Sequence, residues 1–386
     1  LIGSSPRRKE DLRLLLGAGR YADDIVRANA AHLGLVRSVH AHARLTRVDL
    51  TRARRRPGVL AAWAAGDVPG LAPALSAAWG GTHKGRPFAV PILARGRVRY
   101  VGEAVAMVVA EDAFALADAL EAVAVGYEPL PPLAGLEAAA GAKARLHDDW
   151  ADNTTLPVGA TVGDAEAAFA TADAVVGGRF RHGRLAAVPI EPRAAIAWRE
   201  AGDGTLTIWA SIQNPYRLRD ALSSALGLPA ESVRVLVPDV GGGFGPKGDV
   251  YPDEVLVGAA AWCLGRPVKW VEGRREDFMA LGHDREQEHE ARLGLTREGR
   301  IVALETTFRA DVGAYPAQGD GLTANTVNHL PGPYRVPAYR GRGHSVVTTK
   351  TLNAAYRAAG RPEAVFVMER LMDLGARRLG LDPAEL

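Results

Sequence analysis

The sequence predicts an α+β fold, a mixed α/β protein, on three observations. Apolar runs rich in valine and alanine sit between glycine turns, as at Leu33–Val39 and Val98–Val109, and read as strands. Alanine-rich stretches read as helices, as at Asp112–Ala124. The segment Tyr127–Ala138 carries Pro129, Pro131 and Pro132, which break both patterns and mark an extended linker between two globular parts.

Beyond that linker, helical pieces lead to strands at Ala194–Trp198 and Thr205–Ser211, a helix at Tyr216–Leu226 and a strand at Val233–Val237. An apolar helix over Asp253–Leu264 and a strand at Val268–Val271 follow. A meander from His289 to Ala310 turns at Gly299, and helix returns at Pro362–Leu379. The chain starts at Leu1 and stops at Leu386, where the closing Asp382-Pro383 reads as the cap and first position of a helix just beginning, so both ends look cut.

Composition narrows the classes of function. Hydrophobic residues at 47% and charged residues at 24% of 386 exclude a disordered chain or a rod. A net charge of +3 gives no reason to expect nucleic acid, and the cluster Arg52, Arg54, Arg55, Arg56 lacks interleaved aromatics, so it reads as a solvated helix face. The single Cys263 excludes an internal disulfide and any iron–sulfur or zinc site built from several thiolates of this chain. The apolar run Val255–Leu264 is too short for a membrane span, which needs roughly 20 residues. Arg7-Arg8 is followed by charged residues and not by an export segment, so a cytoplasmic location is expected. His32, His40, His42 and His83 fall among the first strands, with His40 and His42 on one strand face, and read as core or surface residues.

The richest segment is the strand ending at Val237 followed by Gly241-Gly242-Gly243-Phe244-Gly245-Pro246-Lys247-Gly248 and then a helix. Four glycines within five residues let a large group approach the main chain, and N–H groups at a helix start can hold an anion or oxo ligand. Gly243, Gly245 and Gly248 also fit a dinucleotide fingerprint, with Glu272 after the next strand as its acid. Pro246 removes a donor that such a site needs, and a phosphate-binding P-loop fails because Gly248 stands where Ser or Thr is required.

Ile212-Gln213-Asn214-Pro215-Tyr216 lies upstream of this loop, and Asn353-Ala354-Ala355-Tyr356-Arg357-Ala358-Ala359-Gly360-Arg361-Pro362-Glu363 lies downstream. Together these three motifs resemble the N-terminal half of the molybdenum-cofactor-binding large subunit of the xanthine oxidase, aldehyde oxidase and carbon monoxide dehydrogenase family, the molybdenum hydroxylases. Arg99-Tyr100-Val101-Gly102-Glu103-Ala104-Val105-Ala106 and Gly332-Pro333-Tyr334 match in the same order.

The resemblance implies an α/β hammerhead domain over 11–130, a linker over 131–150 and a first molybdopterin-binding domain over 151–386, cut before the second. It implies molybdopterin with molybdenum, in the cytosine dinucleotide form, as cofactor. Gln213 would then hydrogen-bond an oxo ligand, Gly242, Gly243, Phe244 and Gly245 would lie against the cofactor, and Arg357 would sit beside pterin and metal. Gln213, Phe244 and Arg357 would thus surround molybdenum without ligating it. Electrons would pass to an iron–sulfur subunit and an FAD subunit in a hetero-oligomer.

Three departures from the family pattern bear on the substrate pocket. Gly248 stands where purine hydroxylases of the family place Glu, Ala359 where they place Phe, and Ala358 where carbon monoxide dehydrogenases place Cys. An aldehyde or a small heteroaromatic is therefore the expected substrate. The family's general-base Glu follows Gly-x-Gly near the end of a chain twice as long, whereas the only Gly-Glu pair here is Gly102-Glu103. The resemblance thus places the general base beyond Leu386. No catalytic residue is expected in this chain, which should be inactive without a C-terminal half. An NAD-dependent dehydrogenase using loop 243–248, or a partner-binding remnant without cofactor, are the alternatives.

Overall fold

Ala104–Ala110 is buried at every residue, and this places it inside a seven-stranded sheet. The computed structural model describes residues 2–75, 86, 88–155, 157–318 and 321–386. Across the sheet the strands run Val233–Leu236, Leu206–Ala210, Ala194–Arg199, Val268–Val271, Ala31–Arg37, Ala104–Ala110 and Val59–Ala64. Ala31–Arg37 pairs antiparallel with Ala104–Ala110 and parallel with Val268–Val271, in register Ala31 to Val268. One sheet therefore contains strands from both sides of the expected linker. Its core is continuous as well, with Leu33, Met107 and Val109 in the same cluster as Ile208, Val255 and Leu256. The helix Pro252–Leu264 is buried from Pro252 to Ala261 because it is apolar on nearly every side.

A second sheet orders Ala174–His182, Gln287–Leu295, Ile301–Asp311, Tyr339–Val346 and Val158–Val162. Phe180, Leu293, Leu295 and Leu304 of this sheet form a core with Val367, Met368 and Leu371 of the long helix Arg361–Leu379. The glycine loop leaves the edge strand of the first sheet, and the arginine loop feeds the helix of the second. The site is built where the two layers meet.

Several expected elements differ in detail. Val98–Val109 is two strands and not one, because Arg99–Glu103 turns, with Gly102 at φ +100° and the Glu103 carboxylate accepting the Arg99 N–H at 2.5 Å. Ala124–Pro129 is a strand at the edge of a small three-stranded sheet, where proline is tolerated. Leu136–Gly141 is a helix, and Leu133, Leu136, Leu146 and Trp150 are buried, so residues 131–150 are packed and not merely extended. His40 and His42 lie between strands, and His42 bonds the carbonyl of Pro131 at 2.9 Å. His83 lies outside the described residues.

From Asp382 the backbone makes the hydrogen bonds of a helix's first turn, as the Asp382-Pro383 pair predicts. Asp382 caps this turn, accepting the Ala384 N–H at 2.7 Å. The Leu386 N–H closes that turn by donating to the Asp382 carbonyl at 3.0 Å. The Leu386 side chain folds back onto the core of the second sheet, beside Leu379 and over Gly299, where an added Cβ would stand 2.3 Å from it.

Candidate functional site

Two loops form the site, and they are joined through their backbones. The N–H of Arg357 donates to the carbonyl of Phe244 at 2.8 Å. At Gly245, φ is +116° and a Cβ would stand 1.9 Å from the carbonyl oxygen of Ala355, so only glycine fits. At Gly243 a Cβ would stand 2.5 Å from Oε1 of Gln213. These two positions are glycine because the arginine loop and Gln213 press directly on the main chain. Gly248, by contrast, has nothing within 4 Å of an added Cβ.

Gln213 precedes the helix Pro215–Leu226, which Asn214 caps by accepting the Arg217 N–H at 3.2 Å. Its backbone N–H donates to the carbonyl of Lys247 at 2.8 Å, and its side-chain Oε1 accepts the Gly245 N–H at 2.9 Å. A backbone N–H can only donate, so this bond fixes the amide orientation and leaves the side-chain N–H₂ free to donate elsewhere.

The arginine loop is held from below. Asp284 accepts the Tyr356 N–H at 3.1 Å, and Arg285 donates to the carbonyls of Tyr356, at 2.9 Å, and Arg357. Asn325 donates to the carbonyl of Ala359 at 2.9 Å. Ala358 and Ala359 both have positive φ, as does Arg285, and these clamps hold them there. The Arg357 side chain is exposed and, among the described residues, makes no hydrogen bond or ion pair. Arg285 is instead buried against Glu363, at 3.3 Å, whose carboxyl burial and the nearby Asp284 push up to about 7.

Sequence reasoning missed the supports beneath the glycine loop. Lys247 is buried, with its ammonium on the Glu191 carbonyl at 2.7 Å, the Ser211 hydroxyl at 2.8 Å and the Glu191 carboxylate at 3.4 Å. Burial pulls its pKa below the usual lysine value. Glu191 also accepts the Gly241 N–H at 2.7 Å. The only available signal was a lone lysine among glycines, which a P-loop test discards. Asp249 is buried beside Arg217, at 3.2 Å, and Gln318, and burial raises its pKa to about 6.

The helix start does not serve as an anion site. Asp253 and Glu254 occupy it, buried against Arg37 and Arg193, so its N-terminal end faces protein. Glu272 is occupied too, since Arg193 binds it at 2.5 Å with Tyr251 and Trp270 against the guanidinium. The dinucleotide alternative thereby loses its acidic residue. Of the positions expected to face a substrate, Ala358 is exposed and Gly248 and Ala359 are half-buried. Among the described residues no group of three or more His, Cys, Asp or Glu could hold a metal directly, and no helix is long and apolar enough to cross a membrane.

A family model described as molybdopterin cofactor-binding domain matches residues 146–386, and one described as aldehyde oxidase and xanthine dehydrogenase, a/b hammerhead domain, matches residues 16–131. The gamma subunit of the 6-hydroxypseudooxynicotine dehydrogenase complex of Paenarthrobacter nicotinovorans is 37% identical over 389 residues, covering all of this chain and 49% of that subunit. The crystal structure of quinoline 2-oxidoreductase from Pseudomonas putida 86 superposes with a TM-score of 0.94 at 37% identity, covering 99% of this chain and 49% of that one. Aldehyde oxidoreductase from Desulfovibrio gigas gives 0.93 at 29% identity, covering 99% and 42%. The chain spans about half the length of the first curated relatives it matches. With its α/β hammerhead region, its molybdopterin-binding region and the paired glycine and arginine loops, the chain belongs to the molybdenum hydroxylase large-subunit family.

Proposed function

We propose that this chain forms one wall of a molybdopterin site in an enzyme that oxidises an aldehyde or a small heteroaromatic ring. The observation that carries the proposal is a donor set without acceptors. The Gln213 amide has given its oxygen to Gly245 and keeps its N–H₂, while the Arg357 guanidinium has no protein partner among the described residues. Both are held on loops joined by the Phe244 to Arg357 hydrogen bond. Donors carried on held backbone and short of acceptors among the described residues suit an anionic, oxygen-rich group.

Bound there, molybdenum with its pterin would supply two-electron oxidation, with the oxygen drawn from water. Gln213 would donate to an oxygen at the metal, Arg357 would balance the cofactor's negative charge, and Gly242, Gly243, Phe244 and Gly245 would form the wall against which it rests. Gly248, Ala358 and Ala359 would leave the substrate side without a carboxylate, a thiol or a stacking ring. The two solved relatives are named for quinoline and for aldehyde, which are of the proposed substrate classes.

Glu103 is not available as general base. It is buried, accepting the Tyr315 hydroxyl at 2.6 Å and the Arg99 N–H at 2.5 Å. The base is proposed to come from polypeptide beyond Leu386, so that residues 1–386 alone do not turn over. The proposed assembly includes iron–sulfur and FAD subunits, the cytosine dinucleotide form of the cofactor and a cytoplasmic location. Metal and pterin analysis of the protein, purified with the polypeptides that complete it, tests the proposal. Stoichiometric molybdenum is expected; its absence together with tight NADH binding would overturn it.

A further inference from the structure

The middle and exit of the glycine loop are tied to the body by Gln213, Tyr251 and Lys247, whereas its entry is shared between Glu191 of the body and the N-terminal arm. Residues 10–20 form a hook. Arg13 donates to the carbonyl of Ala18 at 3.2 Å, and the Ala18 N–H returns to the Arg13 carbonyl at 2.9 Å. The Arg13 guanidinium then takes both carboxylate oxygens of Asp239, at 2.6 and 2.7 Å. Asp239 also accepts the Arg20 N–H at 2.7 Å, and its own N–H donates to the Arg20 carbonyl at 3.0 Å.

Further along, the arm is fastened to the main sheet. Lys269 binds the carbonyl of Asp23 at 2.5 Å and its carboxylate at 2.6 Å, and Ile25 packs on Ile196 and Trp198. Only Val240 separates Asp239 from Gly241. Glu191, which grips Gly241 from the sheet side, also faces the arm, at 3.4 Å from the Ala22 N–H.

We propose that Asp239 is a positioning residue, through which the N-terminal arm sets the entry of the cofactor loop. The identity of the bound group rests on the function proposed above; the mechanical coupling of arm and loop does not. The side chains of Arg13 and Asp239 remain 43% and 23% exposed, and such a pair adds little to global stability. Its effect is local. A loop that loses one of the ties at its entry samples more conformations there, and binding a ligand then costs the entropy of ordering it again.

Three variants test this by hydrogen exchange of loop amides, by molybdenum content of the completed protein and by thermal melting. R13A removes the paired bonds and keeps those between Arg20 and Asp239. D239N removes the charge. R13K restores charge without the two-pronged geometry. In R13A and D239N, exchange at 239–245 should rise several-fold while the helix 252–264 is unchanged, molybdenum content should fall, and the melting temperature should hold. R13K should recover part of both losses. Faster exchange in the arm with the loop and the molybdenum content unchanged would overturn the proposal and reduce the arm to a surface strap. If the wild-type protein takes up no molybdenum, the proposed function fails, yet loop exchange still decides the coupling.

Discussion

The backbone N–H of Arg357 and the carbonyl of Phe244 lie 2.8 Å apart, so two loops more than a hundred residues apart in sequence act as one piece of the site. Gly245 is the contact point, 1.9 Å from the Ala355 oxygen once a Cβ is added. Gly245→Ala must therefore push the loops apart. The positive φ alone costs roughly 1–3 kcal/mol in an alanine, and the clash adds to it. Denaturant titration should show that loss, and molybdenum content should fall with it. Unchanged loading would mean the two loops need not touch.

Arg357 and Arg285 should respond in opposite ways. Arg357→Ala removes a side chain without a protein partner among the described residues, so stability should stay within about 0.5 kcal/mol while cofactor content drops. Arg285→Met strips Glu363 of its cation and two carbonyls of their donor, and should cost about 3 kcal/mol. Urea titrations of both variants beside molybdenum analysis check the contrast. An Arg357→Ala variant that unfolds with its loading intact would remove the residue from the site.

Gly248→Glu should fold, because nothing lies within 4 Å of the new Cβ. In the completed enzyme it should narrow the preference for a simple aldehyde over a purine, since a new carboxylate can accept hydrogen bonds that the purine lacks here. The ratio of kcat/KM for the two substrates is the measurement. A ratio unmoved by the substitution would place residue 248 outside the substrate pocket.

Glu363 predicts a pH dependence of stability. Burial and the neighbouring Asp284 raise its folded pKa to about 7, with Arg285 opposing. A raised carboxyl holds its proton longer in the folded chain than in the unfolded one. The Glu363 contribution to stability therefore declines as pH climbs from the ordinary glutamate range to about 7, and is flat above. Glu363→Gln should reduce that decline by an amount on the order of 1–3 kcal/mol. Parallel curves of stability against pH for variant and wild type would contradict it.

The helices at Asp112–Ala124, Tyr216–Leu226 and Pro362–Leu379 are legible because period and caps are local, and their observed bounds differ by only a few residues. Gln213, Phe244 and Arg357 stand out in sequence because short motifs surround them. Their supports do not, since Glu191, Lys247 and Arg285 act through partners far along the chain. Arg285 in particular holds a positive φ that nothing in Asp284-Arg285-Glu286 announces. The helix start at Pro252 misleads for the same reason: its acids are neutralised by Arg37 and Arg193, each remote in sequence.

Ala31–Arg37 lies between Val268–Val271 and Ala104–Ala110, which has a practical consequence for anyone dividing this gene. A cut near the proline-rich segment separates the two stretches that family models treat as units, but it does so through a hydrogen-bonded ladder and a shared core. Each product would carry a raw strand edge and half of an apolar interior, the combination that drives chains to aggregate. Swapping the first stretch between relatives should therefore succeed only when the receiving strand at 268–271 and the cluster around Leu33 and Val255 are exchanged with it. The two stretches form one heritable unit, and variation in either is constrained by the other.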